Sequence, residues 1–359
     1  MKTNLNKFLD FLIDNHGSDL HLKSGSTVHY RKDGELLSLD TKICTVEDIE
    51  NVAKSLLSEE SFKRLQETKE LDLNYTYNEQ NHFRVNFFYH IDGMSIIFRL
   101  VPMEILSFEK LRLPEVIKEL ADTPRGLILV TGVTGSGKST TIATMIDRIN
   151  STQKKHIVTI EDPIEFIHHD KKSVISQRGV GENTLSYKNA FKSVLREDPD
   201  VIFVGEIRDL ESLETALHAA STGHLVFSTL HTLDAKETIN RLINMFPTHD
   251  QNRIRMTLSS VLEGIISQRL VKREGGGRVV AVEVMKNTTR IATLIAEGRD
   301  KEILDAIEEG SQVYGSQSFD QALLELFQQG LISEATALEN ATIMSDMKLK
   351  LQGIEIAKV

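Results

Sequence analysis

The chain has 359 residues, of which 40% are hydrophobic and 26% charged, an ordinary globular balance with room for two domains. Its formal net charge of −10 argues against wrapping nucleic acid as the main task. Cys44 is the single cysteine, which excludes an intrachain disulfide and a cysteine-rich zinc site.

The N-terminal residues lack a secretory apolar core, and no stretch of ~20 apolar residues occurs, so no transmembrane segment and a cytoplasmic location are expected. Leu5, Phe8, Leu9 and Leu12 recur at the helical period and predict a first helix over Asn4–Asp14. Asp33-Gly34 between Val28–Tyr30 and Leu36–Leu39 is a hairpin signal. Thr45 with Asp48 has the form of a capping box ahead of an Ile49, Val52 and Leu56 stripe. Strands are predicted at Leu71–Tyr77, Phe83–Tyr89 and Met94–Leu100. In the second, Phe83, Val85, Phe87 and Tyr89 share one face, and Arg84 and Asn86 the other. These segments form a small α+β domain over residues 1–100. Pro102 and Pro114 punctuate an irregular stretch, 101–113, expected as a linker.

From Pro114 the pattern changes to β–α alternation. Leu127–Thr131, His156–Ile160, Val201–Val204 and Leu225–Thr229 are short, continuously apolar or β-branched runs, as in a buried and mostly parallel sheet. Helical stripes lie between them at Ile142, Met145, Ile146 and Ile149, and at Leu210, Leu213, Leu217 and Ala220. Asp234 with Glu237 opens a third, carrying Ile239, Leu242, Ile243 and Phe246. Ile254, Leu258, Val261 and Ile265 are expected on one further helical face. Gly275–Gly277 separates Leu270–Arg273 from Val279–Val284 as a hairpin, and residues from Thr288 onward read as helices. The second domain is thus expected over 114–359, an α/β unit with a helical C-terminal region.

Gly132-Val133-Thr134-Gly135-Ser136-Gly137-Lys138-Ser139-Thr140 follows the first of these strands and opens a helix, the setting a phosphate-binding loop requires. The glycines let backbone N–H groups converge on one anion, and the helix start adds its dipole. Lys138 is expected on the β/γ-phosphates, and the Ser139 hydroxyl on Mg²⁺. Glu161, Asp162 and Glu165 crowd the end of the next strand, where an α/β sheet forms its ligand crevice. Glu165 is the candidate general base or water-orienting group, while Glu161 or Asp162 would hold waters on the metal; a solvated loop turned by Pro163 is the plainer alternative. Asp200–Glu206 has Walker B form, with Glu206 delivered at a strand end to hold Mg²⁺ through water or polarise the attacking water. His224 and His231 flank another strand, and Thr229 and His231 sit where a γ-phosphate sensor is useful. Arg84, Arg99, Arg112, Arg178, Arg196 and Arg208 are candidates for neutralising charge on a transferred phosphoryl group.

Taken with Gly17–Leu22, His82–Asn86, Ile160–Phe166, Leu195–Asp209 and Thr222–Thr232, this loop makes the chain resemble the PilT/PilU retraction ATPases of type IV pili, within the wider secretion-ATPase superfamily. The resemblance implies a RecA-like P-loop ATPase core with a smaller PAS-like α+β N-terminal domain. It implies a homo-hexameric ring that hydrolyses ATP with Mg²⁺ to retract pili and drive twitching motility. Lys138 would hold phosphate, Ser139 and Glu206 the metal, and Glu165 would be the catalytic glutamate. Glu161 and His224 would bind the nucleotide, His231 would act in catalysis, and Arg84 and Arg99 would approach from the N-terminal domain. The implied partner is an inner-membrane pilus platform protein, through which the motor associates peripherally with the membrane; no nucleic-acid partner is implied. Extension and secretion relatives carry a four-cysteine zinc element that this chain cannot build, which favours retraction. Thr289–Gly298 keeps helical apolar spacing but departs from the corresponding PilT-type stretch, and Ser318–Leu323 is closer to the PilU branch. An accessory ATPase dependent on a second retraction ATPase therefore stands beside the autonomous motor, with an extension or secretion ATPase and a nucleotide-responsive regulatory partner as further alternatives.

Overall fold

The computed structural model describes residues 2–32, 34–78, 81–101 and 104–354; Asp33 of the expected turn and Pro102 of the expected linker lie outside them. The chain divides into two compact units, Met1–Glu104 with Glu165–Ile167, and Ile105–Ile164 with His168–Val359.

The first unit runs α1 (Lys2–Asp14), β1 (Asp19–Lys23), β2 (His29–Lys32), β3 (Glu35–Ser38), α2 (Val46–Leu56), α3 (Glu59–Thr68), β4 (Glu70–Asn78), β5 (Asn81–His90) and β6 (Gly93–Val101). Its six strands form one antiparallel sheet in the order β3-β2-β1-β6-β5-β4. The alternation in β5 does what its period demands: Phe83, Val85 and Phe87 are buried and pack with Leu9, Leu12, Ile49, Val52 and Phe98. Thr45 caps α2 reciprocally, its hydroxyl accepting the Asp48 N–H at 3.1 Å while the Asp48 carboxylate accepts the Thr45 N–H at 3.0 Å.

The second unit begins with α4 (Phe108–Leu111) and α5 (Glu115–Ala121). From residue 105 the expected linker is therefore folded: Phe108 and Leu113 are buried against Val116, Ile117 and Ile146. There follow β7 (Gly126–Thr131), α6 (Lys138–Thr152), β8 (His156–Glu161), β9 (Val174–Gly179), α7 (Tyr187–Val194), β10 (Val201–Val204), α8 (Leu210–Ser221), β11 (Leu225–Leu230), α9 (Ala235–Asn244), α10 (Gln251–Val261), β12 (Leu262–Lys272) and β13 (Arg278–Lys286). The sheet order is β13-β12-β7-β11-β10-β8-β9; every neighbouring pair is parallel except β12–β13. Apolar side chains of α5 and α6 cover one face, and those of α7 to α10 cover the other. Helices α11 (Thr289–Glu297), α12 (Ile303–Glu309), α13 (Ser311–Tyr314), α14 (Phe319–Gln328), α15 (Glu334–Asn340) and α16 (Met344–Leu351) complete the chain. Phe319, Leu323, Ala337 and Met347 pack on the hairpin residues Val271, Val279 and Ala281.

The expected helical face ending at Ile265 is corrected here. α10 stops at Val261, Leu262 is extended at φ −67° and ψ 129°, and Ile265 belongs to β12. Leu262, Ile265 and Ile266 are buried on both faces of the sheet, and a short apolar run of that kind fits helix or strand equally by periodicity. No helix among the described residues is long and apolar enough to cross a membrane.

Candidate nucleotide site at the strand ends of the parallel sheet

Leu127, Ile128, Leu129 and Val130 are fully buried and carry the chain through the sheet to Gly132. A Cβ on Gly132 would lie 2.5 Å from the Gln268 carbonyl oxygen and 2.6 Å from Ser136 Oγ, so only glycine fits there. Gly135 and Gly137 have φ of 78° and 96°, and a Cβ on either would point into open space with no atom within 4 Å. Both positions are thus open for the approach of a ligand. Gly137 is the N-cap of α6 and supplies no side chain to its first turn. The N–H groups of that turn are therefore left for an anion, reinforced by the helix dipole.

Lys138 is nearly buried, and its ammonium donates to the carbonyls of Gly132 at 2.7 Å and Val133 at 3.1 Å. The amine is thus held at the loop by groups that phosphate oxygens can replace. Ser139 and Thr140 are half-buried, Thr134 is exposed, and Ser136 Oγ is buried without a hydrogen-bond partner. These residues suit a polyphosphate: backbone donors, one cation and an unsatisfied hydroxyl belong to one loop. The residues expected to hold Mg²⁺, Ser139 and Glu206 with Glu161, offer a hydroxyl and carboxylates, the hard oxygens that ion prefers. Among the described residues no group of three His, Cys, Asp or Glu is placed to hold a metal alone. An ion carried largely by phosphate oxygens and water needs no such group.

The acidic strand ends come next. Glu161, at the end of β8, is 7% exposed and accepts from Thr159 Oγ1 at 2.7 Å and Gln177 Nε2 at 3.3 Å. The Asp162–Pro163 peptide bond that follows is cis. Glu206 lies two residues beyond β10, where Arg208 Nε approaches it at 3.1 Å and His231 Nε2 at 3.7 Å. Thr229 Oγ1 donates to the Gly205 carbonyl at 2.6 Å, tying the ends of β10 and β11 together. Of the predicted residues, the structure thus brings Glu206, Thr229 and His231 together at the C-terminal ends of adjacent parallel strands.

Tyr187 also belongs to this region, though it is not among the predicted residues. Its hydroxyl oxygen would lie 2.9 Å from a Cβ on Gly205, and Arg208 stands over its ring at 5.9 Å. Burial pushes the phenol pKa up, and the charges of Asp162, Glu161 and Glu206 push it the same way. One side chain senses all three carboxylates, so the acidic residues of two strand ends converge. Only the packing of α7 against β8 and β10 brings it there, and no local motif marks it.

The remaining predicted residues have partners of their own. Arg84 and Glu165 belong to the same compact unit, with Nη1 and Oε1 3.9 Å apart. Arg99 Nε donates at 2.7 Å to Asp19, which is buried. Arg178 is engaged by Glu197 at 2.6 Å and Ser193 at 2.8 Å, and Arg196 donates to the Lys192 carbonyl. His224 stands at the opposite end of β11 from His231, the two flanking that strand as expected. It precedes β11, its Nδ1 lies 3.0 Å from the Ala219 carbonyl, and its own carbonyl accepts the Gly126 N–H at the start of β7. The phosphate loop leaves the far end of β7, about 20 Å away at ~3.3 Å per residue over six residues.

A family-wide sequence profile, "Type II/IV secretion system protein", matches residues 1–314. The chain belongs to this family. Within the secretion-ATPase family it is 42% identical over 339 residues to the type IV pilus retraction ATPase PilT of Pseudomonas aeruginosa, covering 94% of this chain and 98% of that one. It is 35% identical over 347 residues to the type IV pilus ATPase PilU of the same organism, covering 96% and 91%. A crystal structure of the pilus retraction motor PilT with bound ADP superposes with a TM-score of 0.90 at 44% identity, over 96% of this chain and 98% of that one. The secretion-ATPase core is the expected RecA-like P-loop architecture, here with a separate β-rich N-terminal unit.

Proposed function

We propose that the chain is an ATP-hydrolysing motor that powers type IV pilus retraction, working as a homo-hexamer held at the inner membrane by a pilus platform protein. The observation that carries the reading is the uncapped, glycine-lined start of α6 with Lys138 across it, in the sheet that brings Glu206 and His231 together at its strand ends. Its near full-length similarity to retraction ATPases and its single cysteine favour retraction over extension.

In this reading water attacks the γ-phosphorus of ATP. The bond from that phosphorus to the β–γ bridging oxygen breaks, and ADP and phosphate leave. Lys138 exchanges the carbonyls of Gly132 and Val133 for β- and γ-phosphate oxygens, where its charge offsets the charge that develops. The N–H groups at Gly135, Gly137 and Lys138 fix the phosphates, and the Ser136 hydroxyl gains the partner it lacks. Mg²⁺ bound by Ser139, with Glu206 through water, would neutralise phosphate charge. Glu165 takes the proton of the attacking water or orients that water. His231, beside Glu206, donates a hydrogen bond that reads the presence of the γ-phosphate. Arg84 and Arg99 are the first unit's candidates for neutralising the same charge.

Steady-state ATPase assays of the purified protein test this. Lys138→Ala, Glu165→Gln and Glu206→Gln are each expected to lose about 10²–10³-fold in turnover, the scale of removing one preorganised charge-stabilising group. Near wild-type turnover in Glu165→Gln and Glu206→Gln would remove the mechanism. Sedimentation with and without ATP tests the ring.

A further inference from the structure

Gln268 lies on β12 beside the phosphate loop and is 1% exposed. Its Nε2 donates at 2.8 Å to Oγ1 of Thr141, a buried residue in the first turn of α6. Its carbonyl oxygen abuts Gly132, where a Cβ would come within 2.5 Å. The preceding residue, Ser267, accepts at 3.0 Å from Thr131 Oγ1 at the end of β7. Strand β12 therefore grips both sides of the loop, the incoming strand through Ser267 and the outgoing helix through Gln268.

The grip has a cost. Gln268 Oε1 is buried without a partner, as is Ser136 Oγ in the loop itself. Turning the amide over would exchange its ends and still leave one unpaired. An unsatisfied buried polar atom costs about 1–3 kcal/mol, so a core selected for stability alone would place a leucine here. A buried amide that spends one end on a single helical hydroxyl has a purpose in where it holds that helix.

We propose that Gln268 is a positioning residue for ATP: it fixes the first turn of α6 against β12, and with it the N–H groups, Lys138 and Ser139. The inference rests on reading this loop as the ATP site. Thr141 follows Lys138 by three residues, so a first turn free to tilt would carry the whole phosphate-binding face with it. Misplacement by about 1 Å at such a site is worth as much as 10²-fold.

The test is Mg·ATP affinity measured with a fluorescent ATP analogue, together with KM, kcat and the urea unfolding midpoint, on the full-length chain. Gln268→Leu and Thr141→Val are each expected to raise Kd and KM about ten-fold, the loss of about 1.4 kcal/mol. kcat should fall less, and the Gln268→Leu midpoint should be no lower than wild type. The double variant should be no worse than the poorer single one, because both remove one interaction. Thr141→Ser, which keeps the acceptor oxygen, should bind as wild type does. Wild-type affinity in Gln268→Leu or Thr141→Val, or effects that multiply in the double variant, overturns the proposal. Lys138→Ala separates the two levels: if it too binds normally, the loop is not the ATP site and both readings fall. If it alone loses binding, only the role of Gln268 falls.

Discussion

Glu283 offers a quantitative test of how the second unit is built. It sits on β13, 3% exposed, and its Oε1 accepts the N–H of Ala235, the first residue of α9, at 2.8 Å. Burial pushes its carboxyl up to about 7 from an ordinary 4.5; the Ala235 N–H and Arg269 pull it down, and Asp234 and Asp320 push it further up. The folded protein therefore holds this proton more tightly than the unfolded chain does. The stabilisation is complete below the unfolded value of 4.5 and is lost as pH rises through about 7. That rise corresponds to about 3 kcal/mol, the whole difference being felt above the upper value. Glutamine keeps an oxygen for the Ala235 N–H and cannot ionise. Glu283→Gln should therefore be more stable than wild type by up to about 3 kcal/mol near pH 8, with the gain shrinking to nothing near pH 4.5. Urea unfolding midpoints at constant slope, taken at intervals across this range, measure it. Equal stability near pH 8, or a difference that does not change with pH, would refute the reasoning.

Three further outcomes follow from the packing. His168 is held down to about 4 by burial, so its contribution is present above the ordinary 6.5 and is lost as pH falls toward 4; His168→Asn should flatten the unfolding midpoint over that interval. Arg255 grips Asp300 with both guanidinium nitrogens at 2.8 Å, and both side chains are largely buried, so Asp300→Ala should cost about 3 kcal/mol in urea unfolding by stranding the arginine. Gly132→Ala meets the Gln268 carbonyl at 2.5 Å, so it should weaken ATP binding by at least ten-fold in titrations, about 1.4 kcal/mol, as the backbone shifts.

What the sequence revealed and what it hid divide along contact range. The phosphate loop is legible because its chemistry is contiguous: Gly132 to Thr140 contains the glycines, the cation, the hydroxyl and the helix start together. β7, β10 and β11 are legible because strands covered on both faces read as unbroken apolar runs. The same property hides β12, because Val261, Leu262, Ile265 and Ile266 continue the apolar positions of α10 directly into the strand. β9, at the sheet edge, carries Ser176, Gln177 and Arg178 half-buried and shows neither an apolar run nor a clean alternation. His224 and His231 look equivalent in sequence, yet a six-residue strand sends them to opposite ends of the sheet. Gln268, Tyr187 and the Arg99–Asp19 pair depend on neighbours that the fold supplies from 80 or more residues away in two of the three cases. No local pattern records such partners.

The most direct measurement is the number of surface pili on cells whose only copy of this chain carries Lys138→Ala, compared with wild type by electron microscopy. A retraction motor without its phosphate-binding cation should leave cells crowded with pili that no longer withdraw, and unable to twitch. Cells that lose their pili would show that the motor extends them, and cells with normal pili and normal twitching would show that hydrolysis at this loop does not drive retraction.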